Sequence, residues 1–360
     1  MPGGVSPDLL TNLLRDVSRS FYLTLRVLPG GIGRPIGLAY LLARATDTIA
    51  DTDLVPVTER LQALDALRSR IRGERTVPLD FSRIVAAQAA GTSPAERLLL
   101  VRIEEALKAL AGLEAGDVGR IRAVLEVITG GQELDLHRFG GLGPGGLAAL
   151  PDAAALDDYT YRVAGCVGEF WTRMCLAHLF QADAPFEQRL LADGVRFGQG
   201  LQLVNILRDL PKDLGNGRCY LPSDELADAG LCPADLKEPA NETRLKPVYE
   251  RWVGRADAHL EAGWRYTTAL PRWQVRMRLA CAWPALLGMR TLQKLRGGGV
   301  LDPSRRIKVT RAEVKGVLWR SVVRLPVGWW WDGLGEWARR TPARSIQRRS
   351  GCTGSGSGLG

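Results

Sequence analysis

Four polar side chains in residues 198–222 recur at the spacing of one helical face. They are Gln202, Asn205, Asp209 and Asp213, separated by three, four and four residues. Side chains at these intervals project from the same side of an α-helix. The residues between them are mainly Leu, Val and Ile, which predicts a helix buried on most of its circumference. Carboxylates on such a helix need compensating charge, and a hard cation such as Mg²⁺ would supply it.

A second aspartate pair lies near the N-terminus, where Asp47 and Asp51 stand four residues apart in the apolar segment LAYLLARATDTIADT. A single pair of this kind is usually a helix cap or a solvated helix face. Two pairs, each in an apolar helix and each beside an arginine (Arg44 and Arg208), favour a binding site instead. Two such helices facing each other would enclose four carboxylates and an apolar lining. That arrangement suits a metal-bound diphosphate that carries a hydrocarbon tail.

The length and periodicity of the chain predict an all-α fold. Its 360 residues are 46% hydrophobic, which is enough for one large core, and helical apolar spacing is frequent while strand signals are scarce. We expect a flexible N-terminus over residues 1–8 and a helical domain over residues 9–325. A tail rich in Trp and Arg would follow over residues 326–349, and residues 350–360 are expected to be disordered. The Gly-rich segment 140–150 is expected to be a flexible loop between helices.

The positive charge is concentrated near the C-terminus. Residues 290–350 contain 15 Lys and Arg against 4 Asp and Glu, whereas the whole chain has a net charge of +9. The segment GWWWDGLGEWARR (328–340) mixes tryptophans with arginines, which is typical of a peripheral membrane-surface segment, although packing into the core is the alternative. No nucleic-acid reader motif is recognisable, so we expect no nucleic-acid partner. The sequence does not determine the oligomeric state.

The six cysteines lack a CxxC pair and the three histidines are scattered, which indicates free thiols in a reducing compartment and no zinc site. The N-terminal residues show neither the basic nor the apolar region of a signal peptide. No run of 18 or more apolar residues is present. We therefore expect a cytoplasmic protein that is peripheral on the inner face of the cytoplasmic membrane.

Four blocks in a fixed order resemble the squalene/phytoene synthase family, the head-to-head prenyl transferases. They are SRSFYLTLRVLP (18–29), LAYLLARATDTIAD (38–51), YTYRVAGCVG (159–168) and QLVNILRDLPKDLGNGRCYLP (202–222). The resemblance covers roughly residues 10–320, and its last block is highly specific. Two further blocks, CAWP (281–284) and RIKVTRAEV (306–314), look more like squalene synthases than phytoene synthases.

The resemblance implies a single-domain helical bundle of the isoprenoid-synthase type around a central apolar cavity. By resemblance, the Mg²⁺ ligands are Asp47, Asp51, Asp209 and Asp213. The implied diphosphate-binding residues are Ser18, Arg19, Arg44, Gln202, Asn205, Arg208 and Arg218. Tyr159 occupies the position proposed for proton transfer, and Lys308 matches a position implicated in binding of NADPH. The aromatic rings of Phe21, Tyr22 and Tyr40 are candidates for stabilising carbocations.

The activity implied by the resemblance is that of a squalene synthase. Such an enzyme condenses two molecules of farnesyl diphosphate to presqualene diphosphate and then reduces this product with NADPH to squalene. The alternatives are a presqualene diphosphate, dehydrosqualene or phytoene synthase that lacks the reductive step. A non-catalytic assembly protein is a remote alternative, because all four aspartates are present. Two positions depart from the family pattern: Lys212 replaces a common acidic residue, and Ala280 stands where animal squalene synthases carry an aromatic residue.

Overall fold

The computed structural model describes residues 9–18, 21–88, 93–142 and 145–340, and within them the chain is predominantly helical. The N-terminal helices are α1 (Leu14–Ser18, after a π-helical turn at Leu9–Leu13), α2 (Tyr22–Val27), α3 (Gly30–Ala50), α4 (Val57–Arg72), α5 (Ser82–Ala87), α6 (Pro94–Val101), α7 (Ile103–Ala111) and α8 (Ala115–Phe139). Then follow α9 (Ala153–Thr160), a π-helical turn (Tyr161–Gly165), α10 (Cys166–His178), α11 (Ala184–Gly215) and α12 (Ser223–Asp228). The last are 3₁₀ turns at Pro233–Lys237 and Pro239–Asn241, α13 (Glu242–Ala269), α14 (Val275–Leu295), α15 (Arg311–Arg324), α16 (Gly328–Asp332) and α17 (Leu334–Arg339). The all-α prediction is confirmed.

Helix α11 carries the second aspartate motif and packs against α10, α13 and α14. Asp183 caps its N-terminus by accepting a hydrogen bond of 2.8 Å from the backbone N–H of Phe186. Its leucine, valine and isoleucine side chains between Leu203 and Leu214 are buried, as the sequence predicts. The polar residues on the remaining face are consequently held by a helix whose rotation is fixed by the core.

Small residues allow α10 and the preceding π-helical turn to lie directly against α11. A Cβ atom at Gly168 would come within 1.9 Å of the carbonyl oxygen of Gly194, and one at Gly198 within 2.1 Å of the carbonyl oxygen of Ala164. Backbone atoms this close leave no room for a side chain. Gly168, Gly194 and Gly198 also line the cavity, so this crossing forms part of its wall.

The segment over residues 140–150 is not simply a flexible loop. Ala148 and Ala149 form β1, which pairs in parallel with β2 (Arg218–Cys219); residues 143–144 lie outside the described ranges. Gly217 adopts a φ of 79°, and a Cβ atom there would approach the carbonyl oxygen of Gly146 to 2.7 Å. The sequence prediction missed this pairing because two-residue strands have no periodicity to detect. The pairing fixes the backbone that carries Arg218.

The Trp- and Arg-rich segment is partly folded onto the domain, which differs from a separate tail beginning at residue 326. Trp331 is fully buried and stacks on Trp264 at 5.9 Å between ring centroids. The indole N–H of Trp264 donates to the carbonyl oxygen of Asp332 at 3.0 Å. Trp329, in contrast, is 79% exposed. Residues 341–349, and the predicted terminal segments 1–8 and 350–360, lie outside the described residues.

Candidate active site

A cavity of about 410 Å³ opens between α3, α8, the α10–α11 crossing and α14. Its wall is mainly apolar and includes the aromatic rings of Phe170, Trp171 and Phe197. The polar part of the wall comes from Asp47, Gln132, Gln202 and Asn205. An apolar cavity with a few polar groups is the usual form of a small-molecule site. Of the four motif aspartates only Asp47 is part of this wall, so the cavity combines one motif carboxylate with an apolar lining.

Asp47, in the first motif on α3, directs its carboxylate into this cavity. Its side chain is 47% exposed, but that exposure is to the cavity that it lines. Burial, followed by repulsion from Asp51, raises the pKa of Asp47 to about 6. The Gln132 side-chain amide donates a hydrogen bond to Asp47 from α8, while the buried Gln132 carbonyl oxygen has no hydrogen-bond partner in the described structure. The first motif therefore carries more negative charge than the neighbouring side chains neutralise.

Arg44 is held beside this motif by a buried carboxylate from α6. Its guanidinium donates to Glu96, which is 6% exposed, and also lies 3.7 Å from the Asp47 carboxylate. Burial lowers the pKa of Arg44, but the hydrogen bond and charge of Glu96 outweigh this effect and raise it overall. Arg44 is therefore fixed as a cation at the edge of the site, where the sequence places a diphosphate-binding arginine.

The second motif on α11 contains one paired carboxylate and one that is only partly compensated. Arg208 donates two hydrogen bonds to Asp209, at 2.9 and 2.6 Å. Burial, followed by repulsion from Asp209, raises the pKa of Asp213 to about 7, and Lys212 opposes this effect. Upstream, the Asn205 amide donates to the Gln202 carbonyl oxygen at 3.4 Å, and both residues line the cavity.

Arg218 lies between the two motifs. Its guanidinium is 3.7 Å from the Asp51 carboxylate, and its charge also lowers the pKa of Asp213. Lys212 acts on the same two carboxylates, so the lysine at this unusual position partly neutralises the site. Arg218 thus reaches the first motif from the strand that follows the second motif, and its charge acts on a carboxylate of each.

Tyr159 belongs to a buried polar cluster with Tyr220 and Asp135. The resemblance to the family indicates a role for Tyr159 but does not indicate these two neighbours. Its ring stacks on that of Tyr220 at 4.6 Å between centroids, and the Tyr220 hydroxyl donates to Asp135 Oδ2 at 2.8 Å. Burial and the neighbouring Tyr220 and Asp135 raise the pKa of Tyr159 well above its ordinary value. The second oxygen, Asp135 Oδ1, is buried and has no hydrogen-bond partner in the described structure. The Tyr159 hydroxyl is consequently protonated at neutral pH.

Two aromatic rings predicted to stabilise cations meet in the cavity wall. Phe21 and Tyr40 stack at 5.4 Å between centroids, and both line the cavity. The face of an aromatic ring attracts a cation without forming a covalent bond to it. Ala280 also lines the cavity, so the position that carries an aromatic residue in animal squalene synthases contributes only a methyl group here.

Most of the other predicted site residues do not line the cavity. This holds for three of the metal-ligand aspartates, for three arginines and for the tyrosine proposed for proton transfer: Asp51, Asp209, Asp213, Arg44, Arg208, Arg218 and Tyr159. The Ser18 hydroxyl is buried and donates to the carbonyl oxygen of Leu14 at 2.5 Å. A serine that bonds back into its own helix turns its hydroxyl away from a ligand. Lys308 is exposed in the irregular segment before α15 and does not line the cavity. Arg19 lies outside the described residues.

The donor set fits Mg²⁺ held jointly with a phosphate ligand. Across residues 9–340, the described side chains include no group of three His, Cys, Asp or Glu that could hold a metal ion. Mg²⁺ needs no such group, because it commonly binds one or two carboxylates together with substrate phosphates and waters. The raised pKa values of Asp47 and Asp213 and the unpartnered oxygens of Gln132 and Asp135 show where added positive charge would be stabilising.

The comparisons with known proteins agree with this geometry. The family model described as Squalene/phytoene synthase matches residues 14–313. The chain belongs to the squalene/phytoene synthase family. It is 29% identical to a presqualene diphosphate synthase of Zymomonas mobilis, over 89% of this chain and 94% of that protein, and 30% identical to one of Rhodopseudomonas palustris, over 83% and 91%. A solved complex of TcSQS with the ligand BPH1237 superposes with a TM-score of 0.72 at 21% identity, covering 93% of this chain and 92% of that one.

These findings confirm the resemblance and the isoprenoid-synthase-type fold predicted from the sequence. They also identify the chain as a member of a prenyl transferase family. The solved structure supports the fold alone, because its sequence identity to this chain is low. The roles of individual residues stay predictions, and the structure gives the positions and contacts of most of these residues.

Several residues at the site were not predicted from the sequence. No sequence pattern marks Glu96 or Tyr220. Gln132 and Asp135 stand three residues apart on α8 and therefore share a face, a weak signal that leaves them open between a supporting role and simple exposure. Nothing in the local pattern indicates that Glu96 pairs with Arg44, because their helices are far apart in sequence.

Proposed function

We propose that the protein is a Mg²⁺-dependent prenyl transferase that joins two molecules of farnesyl diphosphate head to head to form presqualene diphosphate. The observation that carries this proposal is the position of Arg218, which stands in β2 just after the second motif and has its guanidinium 3.7 Å from Asp51 of the first motif. Asp47, in the same motif as Asp51, lines an apolar cavity that suits a prenyl chain. Two relatives named presqualene diphosphate synthases, each aligned over most of both chains, support the same product.

The proposed first step is the departure of diphosphate from one substrate. Mg²⁺ bound by the motif aspartates would neutralise the charge that develops on the leaving group. Arg44, Arg208 and Arg218 would donate charge-assisted hydrogen bonds to the phosphate oxygens. Arg44 is already positioned for this by Glu96. Because Arg208 is paired with Asp209, its contact with phosphate requires Asp209 to be neutralised by another cation.

The cavity then protects the allylic cation while the second substrate attacks through its double bond. The stacked rings of Phe21 and Tyr40 stabilise the positive charge, and the apolar wall excludes water that would quench it. A proton must leave as the cyclopropane ring closes. The proposed acceptor is the released diphosphate, with Tyr159 as a hydrogen-bonding partner. Tyr159 itself is protonated, so it accepts a proton only if its own passes to the Tyr220 hydroxyl while Tyr220 gives its proton to the Asp135 carboxylate.

A more specific version of this proposal adds a second reaction, the reductive conversion of presqualene diphosphate to squalene. It is favoured by the squalene-synthase-like blocks at residues 281–284 and 306–314. The described residues do not assign a nicotinamide site, because Lys308 is exposed and lies outside the cavity wall. We therefore derive no step through NADPH. Dehydrosqualene and phytoene formation are the alternatives without that reductant.

Product analysis by mass spectrometry tests the proposal. The purified protein would be incubated with Mg²⁺ and farnesyl diphosphate, with and without NADPH, and in parallel with geranylgeranyl diphosphate. Presqualene diphosphate under both conditions is the expected result, and squalene formed only with NADPH would add the reductive step. Asp47→Asn and Asp209→Asn should each abolish turnover without changing the helical circular dichroism spectrum. Activity retained by both variants would overturn the metal-site assignment.

We further propose that the protein works at the inner face of the cytoplasmic membrane. Squalene, the product of the full reaction, is a hydrocarbon, and prenyl diphosphates pair a charged head with an apolar chain, so substrate and product suit a lipid surface. None of the helices in the described ranges is long and apolar enough to cross a membrane. Any attachment through these helices would therefore be peripheral. Flotation of the full chain with lipid vesicles, compared with a chain lacking residues 341–360, tests this location.

A further inference from the structure

Exposed apolar side chains are concentrated on one part of the surface. Of the fourteen large hydrophobic residues exposed in the described part of the chain, eight belong to residues 273–275 and 319–330. We call these eight the docking face: Trp273, Val275, Trp319, Val322, Val323, Val327, Trp329 and Trp330. Every exposed tryptophan of the described residues belongs to it, and Trp273 and Trp329 are more than 70% exposed. Exposed apolar clusters of this kind mark contact surfaces.

These residues form one face because three segments of the chain meet there. Trp319, Val322 and Val323 stand at helical spacing and project from the same side of α15. The Arg324 guanidinium lies over the ring of Trp330 at 5.2 Å, which joins the end of α15 to α16. A Cβ atom at Gly328 would lie 2.8 Å from the Arg272 guanidinium, so the α13–α14 connection adjoins α16 as well.

The exposed charge around the docking face is mainly positive. Residues 270–278 and 314–331 contain six Lys and Arg and no Asp or Glu; Arg278 is buried against Trp331, the other five are at least partly exposed, and the exposed Asp332 follows directly after this segment. A second copy of the chain docking through the same face would bring these like charges together, at a cost in binding energy. An anionic lipid surface would attract them. Tryptophan side chains also prefer the depth of the lipid headgroups.

The docking face also lies close to the cavity, on the opposite side of α14. Ala280, Cys281 and Pro284 of α14 line the cavity, while the indole N–H of Trp283, on the same helix, donates to the Ser321 hydroxyl of α15 at 2.9 Å. Helix α14 therefore lies between the cavity and the helix that carries much of the docking face. A lipid surface bound to α15 would be separated from the prenyl cavity by α15 and α14 alone.

We propose that the docking face seats the protein on an anionic bilayer, with its tryptophans at headgroup level and its arginines against lipid phosphates. The proposal rests on the proposed membrane location and deepens it, because it assigns the contact to folded elements rather than to residues beyond 340. It predicts that lipid binding requires both exposed tryptophans and anionic lipid.

The test compares the wild-type chain with the triple variant Trp273→Ser/Trp319→Ser/Trp329→Ser. Co-sedimentation with vesicles of mixed phosphatidylglycerol and phosphatidylcholine should show binding of the wild type that weakens with added salt and is much reduced with phosphatidylcholine alone. The triple variant should bind the mixed vesicles about tenfold or more weakly, because its exposed apolar area is largely removed. These tryptophans are exposed, so the variant should retain the wild-type unfolding temperature.

A matched control replaces three other exposed apolar residues, Val77, Leu98 and Val101, by Ser. This variant should bind vesicles as the wild type does, because the changes lie outside the docking face. Equal losses in both variants would show that general surface hydrophobicity causes binding and would overturn the proposal. A wild-type dimer in light scattering that the tryptophan variant dissociates, without vesicle binding, would assign the face to a second copy instead.

Failure of this proposal is distinguishable from failure of the proposed function. If the wild type binds vesicles and the triple variant binds equally well, the docking face is refuted while the membrane location stands. If the wild type does not bind mixed vesicles, both the docking face and the membrane location are refuted. Turnover of farnesyl diphosphate in detergent solution, measured for both chains, reports the enzyme activity separately. We expect equal turnover, since none of the substituted residues lines the cavity.

Discussion

Replacing Asp213 by Asn should stabilise the metal-free protein while abolishing turnover. The Asp213 carboxylate lies beside Asp209 and is partly buried, and these surroundings raise its pKa to about 7 from the ordinary 3.8. At higher pH the folded state must hold this charge without adequate compensation. An asparagine amide keeps the size of the side chain and removes the charge. The site would thus be locally unfavourable for folding until a cation binds.

The size of the effect follows from linkage. A shift of about three pKa units corresponds to at most about 4 kcal/mol. Because Asp213 is only partly buried and solvent screens its charge, we expect about 1–2 kcal/mol. Below pH 4 both states are protonated and the penalty is absent. From about pH 4 to about pH 7 the folded state binds more protons than the unfolded state, so the penalty grows as pH rises, and it is constant above pH 7.

Denaturant unfolding in the presence of a chelator measures this difference. Asp213→Asn should exceed the wild type in stability at pH 8, and the gap should shrink at pH 5. Asp209→Asn is the matched control, because it also removes a motif carboxylate but breaks the pair with Arg208, so it should not stabilise. Adding Mg²⁺ with inorganic diphosphate should stabilise the wild type only. A metal-free Asp213→Asn variant no more stable than the wild type at pH 8 would refute the reasoning.

Three further predictions concern packing and support of the site. Gly168→Ala should lower the free energy of unfolding by about 3 kcal/mol or more, measured in denaturant, because the new methyl group would meet the Gly194 carbonyl oxygen at 1.9 Å. Glu96→Gln should cost about 2 kcal/mol in the same measurement and raise KM, since Arg44 loses its buried counter-charge. Tyr220→Phe should lower kcat with KM nearly unchanged, because the hydrogen bond to a buried carboxylate behind the active site is lost.

Periodicity predicts the part of the site that lies on single helices. The three- and four-residue spacing of Gln202, Asn205 and Asp209 is enough to define one helical face, and burial of the intervening residues follows from their apolar character. The partners across helices do not follow in the same way. Which carboxylate faces Arg44, or which amide faces Asp47, depends on how α6 and α8 pack, and local spacing carries no information about that.

The C-terminal tryptophans show a second limit of sequence reasoning. Trp329, Trp330 and Trp331 are adjacent and chemically identical, yet the first is exposed and the last is fully buried. Successive helical residues point about 100° apart, so a short run of tryptophans fills more than one face. Composition predicts both a core contact and an interfacial segment, and the structure shows that the same five-residue helix provides one face to the core and another to the surface.

The charges around the two motifs are distributed unequally, and this inequality argues for a shared ligand. Asp209 is already paired with Arg208, and Asp51 lies near Arg218. The pKa of Asp51 is nevertheless raised by burial, and those of Asp47 and Asp213 reach about 6 and about 7, so incompletely compensated charge is divided between α3 and α11. A cation at either motif alone would relieve half of the repulsion. A diphosphate that carries metal ions to both motifs would relieve it at both helices at once, and binding energy gained there is available to order the cavity before the allylic cation forms.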